Sequence, residues 1–423
     1  MNQIIRNLAT FLVMTAILVS VASAGGYQIN EQNARAMGFA GAFVAQASDA
    51  SAVYFNPAGL AFQKGWKVLG GTTLIIPSTK FTGPSPSTNN TSMESQIFYP
   101  SNLYVSYGMR DGLTFGLGIF TPYGLGSEWP ADWAGRRLSV KTDLKTFYIN
   151  PSVGYKIGDT FSIGVGISYI IGDVSLKFRV PTYSSLTPPT PAAEDGTASL
   201  EANGTGFGFN IGLMFKPTER LSLGLSYRSM TELEFSGDAT FADMQALTTF
   251  FPGGSGTTKL PLPSNLVGGI AYDVTHDITL EADFQYVGWS KYNELNVDLE
   301  EGPAFPFTGR PVQSDMTSKK NWEDAFLIRI GGEYRLDRLA LRLGYLLDTT
   351  PQPDKSVEPM LPDADRNELT LGLGYQFSDN LSVDVAYQLI LFKDRTVAPS
   401  VNVFPGTYQS NANLFGINIG YQF

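Results

Sequence analysis

The sequence predicts an all-β protein, a fourteen-stranded antiparallel transmembrane β-barrel whose lumen is plugged by a small N-terminal helical hatch. Three observations lead to this prediction. The chain begins with an export signal, long runs of alternating apolar and polar residues recur through the remainder, and the connections between the runs alternate between short turns and long loops. We assign residues 1–24 to the signal peptide, 25–65 to the hatch and 66–423 to the barrel.

The first 24 residues have the organisation of a signal peptide. Arg6 gives a basic start, an apolar stretch runs from Leu8 to Val21, and Ala22-Ser23-Ala24 forms a cleavage site of small residues. The alternative is a transmembrane anchor, but an apolar stretch of about 14 residues is shorter than the roughly 20 that a bilayer-spanning helix needs. We therefore expect an exported protein whose mature chain begins at Gly25.

The remainder of the chain repeats one pattern, in which an aromatic residue and a short polar turn precede a long alternating run. Two copies are VGYKIGDTFSIGVGISY at 153–169 and GLGYQFSDNLSVDVAY at 372–387. In the first copy Phe161, Ile163, Val165, Ile167 and Tyr169 share one face, opposite glycines and serines. Turn formers between runs of period two predict antiparallel hairpins. Runs of about ten residues are long enough for tilted strands to cross a membrane.

The connections between the runs give the number of strands. Six short turns lie near residues 110, 158, 218, 275, 336 and 378, and seven longer segments rich in Pro, Gly, Ser and Asn lie at 82–95, 123–140, 181–198, 238–259, 300–320, 349–366 and 396–405. These thirteen connections imply fourteen strands, with short turns on the periplasmic side and long loops outside. The last strand ends on Phe423, and this aromatic end resembles the signal by which the barrel-assembly machinery recognises such proteins.

Residues 25–65 precede the first strand and do not alternate. They contain a stretch of small, helix-tolerant residues and then Asn56-Pro57-Ala58, with four aromatic residues of the kind usually buried, namely Phe39, Phe43, Tyr54 and Phe55. A fourteen-stranded barrel is too wide for side chains alone to fill, so its lumen is either open or plugged. The alternative is a loose periplasmic tail, but the aromatic content favours packing inside the lumen.

Composition excludes several other classes of site. The 423 residues include no Cys and one His, His276, which argues against thiolate or His metal sites and against Cys or Ser-His catalysis. The net charge of −10 and pI of about 4.8 argue against nucleic acid as a partner. A mean hydropathy of −0.03 suits a membrane barrel, because lipid-facing and lumen-facing residues alternate. We expect no catalytic residue, cofactor or metal.

Several short motifs, in their order and spacing, carry a resemblance to a known family. They are Gly26-Tyr27-Gln28-Ile29-Asn30-Glu31, Asn56-Pro57-Ala58, Tyr123-Gly124-Leu125-Gly126-Ser127-Glu128-Trp129, Thr142-Asp143-Leu144-Lys145-Thr146, Tyr227-Arg228-Ser229, Trp289-Ser290, Asp324-Ala325-Phe326 and Leu361-Pro362-Asp363-Ala364-Asp365-Arg366. The chain resembles the FadL-type long-chain fatty-acid transporters of the outer membrane, which include importers of aromatic hydrocarbons. The resemblance implies a hatch, no open axial pore, and passive uptake of a hydrophobic small molecule.

The resemblance also implies a route for the ligand. It implies a groove between the third and fourth outer loops, a pocket above the hatch, and lateral exit through a kinked third strand. The kink is expected at Pro122, Gly124 and Gly126, because Pro lacks a ladder donor and Gly weakens pairing. We expect the four hatch aromatics to line the pocket.

The outer-loop groove is expected from an apolar stripe at helical spacing, made of Phe241, Met244, Leu247, Phe250 and Phe251. The alternative is that this stripe packs onto the barrel rim. The third loop, Pro181 to Pro191, holds four prolines and is expected to be stiff and irregular.

Strand parity places eight charged side chains in the lumen: Arg228, Glu281, Asp283, Arg329, Glu333, Arg335, Arg342 and Asp384. Their mixed signs suggest a paired polar interior that holds the hatch. Arg228, Arg329 and Arg342 are the candidate partners for a fatty-acid carboxylate. Family members often carry a basic residue just before the Asp-Ala-aromatic motif, and here Glu323 precedes Asp324, which raises neutral hydrocarbons as an alternative ligand.

The expected function is thus passive uptake of long-chain fatty acids or similar hydrophobic molecules. Import of monoaromatic hydrocarbons is the alternative, and a general porin is a third reading that the hatch argues against. We expect a monomer in the outer membrane, surrounded by membrane lipid and lipopolysaccharide.

Overall fold

The computed structural model describes residues 25–87, 89–109, 111–401 and 404–423, so the predicted signal peptide lies outside the described residues. Strands dominate it. In these ranges, no helix has both the length and the apolar character needed to cross a membrane.

Fourteen antiparallel strands form a closed barrel, as the sequence predicts. The first strand pairs with the second along one edge and with the last along the other, which closes the wall. The strands are β1 Gly65–Thr82, β2 Ser101–Gly108, β3 Leu113–Phe120 with Gly124–Glu128, β4 Lys141–Ile157, β5 Phe161–Val180, β6 Gly196–Phe215, β7 Leu221–Arg228 with Thr231–Ala242, β8 Gly254–Leu262 with Asn265–Asp273, β9 Ile278–Val287 with Glu294–Leu299, β10 Met316–Lys319 with Ala325–Leu336, β11 Leu339–Asp348, β12 Arg366–Gln376, β13 Leu381–Phe392 and β14 Gly406–Gln422.

The alternation read from the sequence sets which side chains face lipid. On β5, Val165 is 44% exposed and Ile167 is 64% exposed, whereas Ser162 and Ser168 are buried. Apolar side chains therefore cover the outer surface of the wall, and small or polar ones face the lumen, as a barrel in a bilayer requires.

The other elements are short. From residue 25 onward, two α-helices, α1 Ala34–Gly38 and α2 Ala52–Phe55, and the 3-10 helix Pro57–Phe62 lie before the barrel; further 3-10 turns are Thr248–Phe250, Trp289–Lys291 and Asp354–Ser356. Short strands in the loops are Asn90–Ser92, Tyr183–Leu186, Pro189–Pro191 and Arg395–Val397.

The N-terminal segment, residues 25–64, lies against the lumen side of the wall, where the strands carry glycines. A Cβ at Gly212 of β6 would lie 2.0 Å from Asn56 Oδ1, and one at Gly224 of β7 would lie 2.2 Å from Val44 O. At these positions, only a residue without a side chain lets the segment approach the wall this closely.

Five strands are interrupted part-way. Besides β3, four consecutive strands break, β7 at 229–230, β8 at 263–264, β9 at 288–293 and β10 at 320–324. Because these four breaks lie on neighbouring strands, the outer halves of β7–β10 form a ladder that is separated from the lower halves of the same strands and stays joined to the wall through β6.

Two outer loops differ from simple expectation. The fourth loop does not form the apolar helical stripe, because Asp243 and Gln245 have positive φ values of 58° and 51°, which end any helix. The third loop contains a small hairpin, Tyr183–Leu186 with Pro189–Pro191, rather than only irregular chain.

Candidate functional site

The hydrogen-bonded ladder of the barrel wall is interrupted at the third strand, β3. Phe120 pairs with Tyr148 of β4, and Gly124 pairs with Lys145. Between these two pairs the chain advances four residues on β3 but only three on β4. The one extra residue on β3 makes a β-bulge, which bends the strand. Within the described residues, the upper part of β3 forms a ladder with β4 and none with β2.

The bulge turns toward the N-terminal segment and hydrogen-bonds to it. Ile29 N donates to Pro122 O at 2.8 Å, and Gly124 N donates to Tyr27 O at 3.0 Å. On the neighbouring side, the ring of Phe98 lies over Gly126, where a Cβ would be 2.0 Å from Phe98 Cζ. The interrupted wall is therefore covered from within by residues 27–29 and at its edge by one aromatic ring.

An apolar cavity of about 110 Å³ lies on the outer side of Tyr27. Its apolar lining consists of Tyr27, Leu125, Leu144, Val174, Leu176, Leu200, Ala202, Phe235, Leu260, Tyr292, Leu295, Val297, Trp322, Met360 and Leu361. Lys320, whose side chain is only 3% exposed, also lines the cavity and forms an ion pair with Glu358. Three carboxylates, Glu201, Asp238 and Glu358, line the cavity as well, so it offers an apolar body with one buried cation among its charged lining residues.

Tyr27 forms one wall of this cavity. Its ring packs edge-on against Trp289 at 4.6 Å between centroids, and its hydroxyl donates to Pro261 O at 3.0 Å. Burial raises the pKa of Tyr27 well above its ordinary value, so the hydroxyl stays neutral and remains a donor. The contact ties the N-terminal segment to the outer half of β8.

The residues just before Tyr27 are held by charged side chains. Gly26 N donates to Asp363 Oδ2 at 3.2 Å, and Arg366 Nη2 donates to Gly26 O at 2.8 Å. Arg366 also donates to Asp363 Oδ1 at 2.9 Å. The motif at residues 361–366, at the end of the outer loop 349–366, thus fixes the backbone of Gly26.

A second, polar cavity of about 50 Å³ lies on the lumen side of the bulge. Pro122, Tyr123, Arg228 and Arg329 are among its lining residues. Tyr123 accepts a hydrogen bond from Asn265 Nδ2 at 2.9 Å and donates to Pro263 O at 3.2 Å. The bulge and the residues at 27–28 separate this cavity from the apolar one.

Other lumen charges bind one another or the N-terminal segment. Arg342 donates to Glu333 at 2.8 Å and to Asp384 at 2.6 Å. Asp283 accepts from the backbone N–H groups of Phe43 and Val44, at 2.9 and 3.1 Å, and Glu281 accepts from that of Ala45 at 2.7 Å. These carboxylates thus bind the N-terminal segment through its backbone.

The predicted hatch residues fall into different places. Tyr54 and Phe55 line the polar cavity, whereas Phe39 and Phe43 are fully buried and line neither cavity. Asn56 is buried, accepts from Ala58 N at 3.1 Å and donates to Val44 O at 2.9 Å, so the Asn56-Pro57-Ala58 motif caps the 3-10 helix and joins two parts of the segment.

The predicted outer-loop residues are not gathered on either cavity. Met244 and Leu247 are buried, the Phe241 ring lies 4.9 Å from that of Phe251, and the Phe250 ring lies 5.1 Å from that of Phe305. These five residues therefore take part in two separate aromatic contacts and contribute two buried aliphatic side chains, and within the described ranges they form no common groove lining.

Sequence reasoning missed Lys320 and Phe98. Lys320 stands four positions before Asp324, and the break in β10 returns it to the cavity, a consequence of tertiary structure that no local pattern signals. Phe98 lies in a loop segment without alternation, and its position beside the interrupted strand is apparent only from its contact with Gly126. Over the described ranges there is no group of three or more Asp, Glu, His or Cys side chains that could hold a metal.

Residues 15–423 match the family described as outer membrane protein transport protein (OMPP1/FadL/TodX). The chain is 27% identical to the 47 kDa outer membrane protein of Pasteurella multocida over 428 residues, 96% of each chain, and 26% identical to the long-chain fatty acid transport protein of Salmonella typhi over 438 residues, 97% of each.

Solved structures share the fold. A FadL homologue of Pseudomonas aeruginosa superposes with a TM-score of 0.82 at 21% identity, over 94% of this chain and 100% of that one. The toluene transporter TbuX of Ralstonia pickettii gives 0.70 at 18% identity, over 96% and 99%. With the family match spanning nearly the whole sequence, the chain belongs to the OMPP1/FadL/TodX family of outer membrane transport proteins.

Proposed function

We propose that this protein carries long-chain fatty acids or similar amphiphiles passively across the outer membrane. The observation that carries the proposal is the apolar cavity beside Tyr27, with the buried Lys320 at its lining. Apolar surface leaves water when a chain enters this cavity, and the ammonium group offers a partner to a carboxylate. The name of the Salmonella typhi relative, a long-chain fatty acid transport protein, supports the same ligand class.

The proposed route has three stages. The ligand collects at the outer loops near Phe241, Met244, Leu247, Phe250 and Phe251, enters the apolar cavity above the N-terminal segment, and leaves sideways through the interrupted β3. Residues 25–64 act as the hatch that keeps the lumen closed. Lateral exit is favoured because an apolar chain that moves directly into lipid never exposes its surface to periplasmic water.

Monoaromatic hydrocarbons are the second candidate ligand. A cavity of about 110 Å³ is similar in size to the roughly 150 Å³ apolar cavity that is known to hold benzene in another protein. Its lining includes Tyr27, Phe235, Tyr292 and Trp322, whose rings suit an aromatic guest. Two solved neighbours are toluene transporters by name.

The affinity for saturated fatty acids is expected to rise with chain length. Burial of each methylene contributes roughly 0.8 kcal/mol, so the Kd should fall about fourfold per added CH₂ until the apolar cavity is filled. Displacement of a fluorescent fatty acid from the purified protein measures this series. Affinity that does not depend on chain length would contradict the proposed binding site, and tight binding of toluene with none of laurate would favour the second candidate.

Replacement of Lys320 by Met is expected to weaken the binding of fatty acids and leave the binding of toluene unchanged. Hydrogen bonds to charged groups contribute about 1.5–3 kcal/mol, so the Kd for laurate should rise roughly tenfold to a hundredfold. Because the substitution leaves Glu358 without its cation, the pair Lys320→Met with Glu358→Gln serves as the second variant. Unchanged laurate affinity in both would show that the carboxylate binds elsewhere.

A further inference from the structure

Four arginines in the described part of the chain are buried, and they divide into two pairs. Arg342 and Arg366 each lie within 4 Å of carboxylate groups. Arg228 and Arg329, 9% and 3% exposed, form no ion pair within that distance among the described residues. A buried guanidinium without a counter-charge is costly, so the second pair needs an explanation.

Both unpaired arginines line the polar cavity behind the bulge, and each has an unused donor. Arg228 Nη2 donates to Tyr54 O at 3.1 Å, while Nη1 is buried without a partner in the described structure. Arg329 donates to Gln285 Oε1 at 2.5 Å and to Asn30 Oδ1 at 3.0 Å, while its Nε is likewise unpartnered.

The lining of the cavity carries more positive than negative charge, because two arginines face one carboxylate, Asp283, which lies opposite Arg329 in the ladder between β9 and β10. The carboxylate that lines it, Asp283, uses Oδ2 to accept from two backbone N–H groups. The Arg228 guanidinium lies 5.2 Å from the ring centroid of Tyr54 and 5.4 Å from that of Phe120, so aromatic faces hold it in place. The cavity is thus a fixed, net cationic pocket whose free N–H groups match a carboxylate.

We propose that this pocket is an anion site for the carboxylate of a transported amphiphile, occupied while the apolar chain passes through the gap in β3. Pro122 and Tyr123 line the pocket from the bulge, so a head group at Arg228 and Arg329 is next to the opening. The two arginines would replace the water that the carboxylate loses, and so would lower the barrier for charged ligands alone. This inference rests on the proposed function, and it adds a second binding site for the carboxylate, which the ligand reaches after the site at Lys320.

The test compares decanoate with decanol, which share a chain and differ in charge. Cells that express the double variant Arg228→Gln with Arg329→Gln are expected to take up decanoate about tenfold more slowly than wild type, the rate effect of one lost charge-assisted contact, and decanol at an unchanged rate. Arg228→Lys should restore part of the decanoate uptake. Arg335→Gln, on the same strand and face as Arg329 but outside the pocket, is the matched control and should behave as wild type.

Each outcome decides a different point. Equal loss of decanoate and decanol uptake in the double variant, or no loss of either, overturns the anion site, and heat-modifiable gel mobility shows that the barrel is folded. If the two arginines only support the local structure, for example by holding a chloride ion or water, the uptake of decanoate and of decanol should fall equally. Wild-type cells that take up neither compound above a strain without the protein would overturn the proposed function itself.

Discussion

Deletion of Pro122 is expected to abolish uptake while the barrel still folds. Phe120 and Gly124 pair with residues of β4 that are three positions apart, so removal of one residue lets β3 run on without a bulge. The alternation then becomes regular, with Tyr123 facing inward and Gly124 outward, and the upper part of β3 can pair with the chain next to it. A continuous ladder would close the lateral gap.

The matched control is Pro122→Ala, which keeps the extra residue and therefore the bulge. It should retain most of the wild-type uptake of labelled palmitate, because the residue count rather than the ring of proline makes the gap. Folding is checked by heat-modifiable mobility, and uptake by cell-associated label. A folded deletion variant with normal uptake would show that the ligand leaves by another route.

The difference between what could and could not be predicted follows from the range of the interactions. Strand number, faces and turns depend on periods of two along the chain, so Ile167 and Ser168 were assignable from neighbours alone. The position of the interruption near Pro122 was also signalled locally, because Pro and Gly mark weak points of a ladder, whereas the extra residue that makes the bulge appears only in the pairing of β3 with β4. Lys320 and Phe98 reach their places through breaks and loops that no local period encodes. The four aromatic residues of the predicted hatch divide between close packing and the lining of a cavity for the same reason.

Removal of residues 25–64 is expected to convert a nearly non-conducting protein into an open channel. The segment contacts lumen-facing groups on β5, β6, β7 and β9, and the wall itself contributes glycines there, so we expect the lumen to open when the segment is absent. Single-channel recording in planar bilayers measures the change. The intact protein should show little steady conductance, and a large steady conductance would instead indicate a porin.

A second variant tests the same point with the whole chain present. Glu281→Ala with Asp283→Ala removes the acceptors for three backbone N–H groups of residues 43–45 and should give frequent opening events. Glu232→Ala with Glu234→Ala removes two exposed carboxylates elsewhere and is the control. If the deletion variant folds and stays closed, residues 25–64 do not plug the lumen.

The hydrogen bonds of the N-terminal segment also fix an order of assembly. Ala34 N donates to Asn418 Oδ1, 384 positions later in β14, and Thr370 donates to Gly38 O across 332 positions. Such contacts close very long loops, and the contact of Ala34 cannot form before the last strand is present. Residues 34–38 precede the barrel in the chain, yet they cannot complete their native contacts until its last strand is present, so the start of the barrel protein waits for its end.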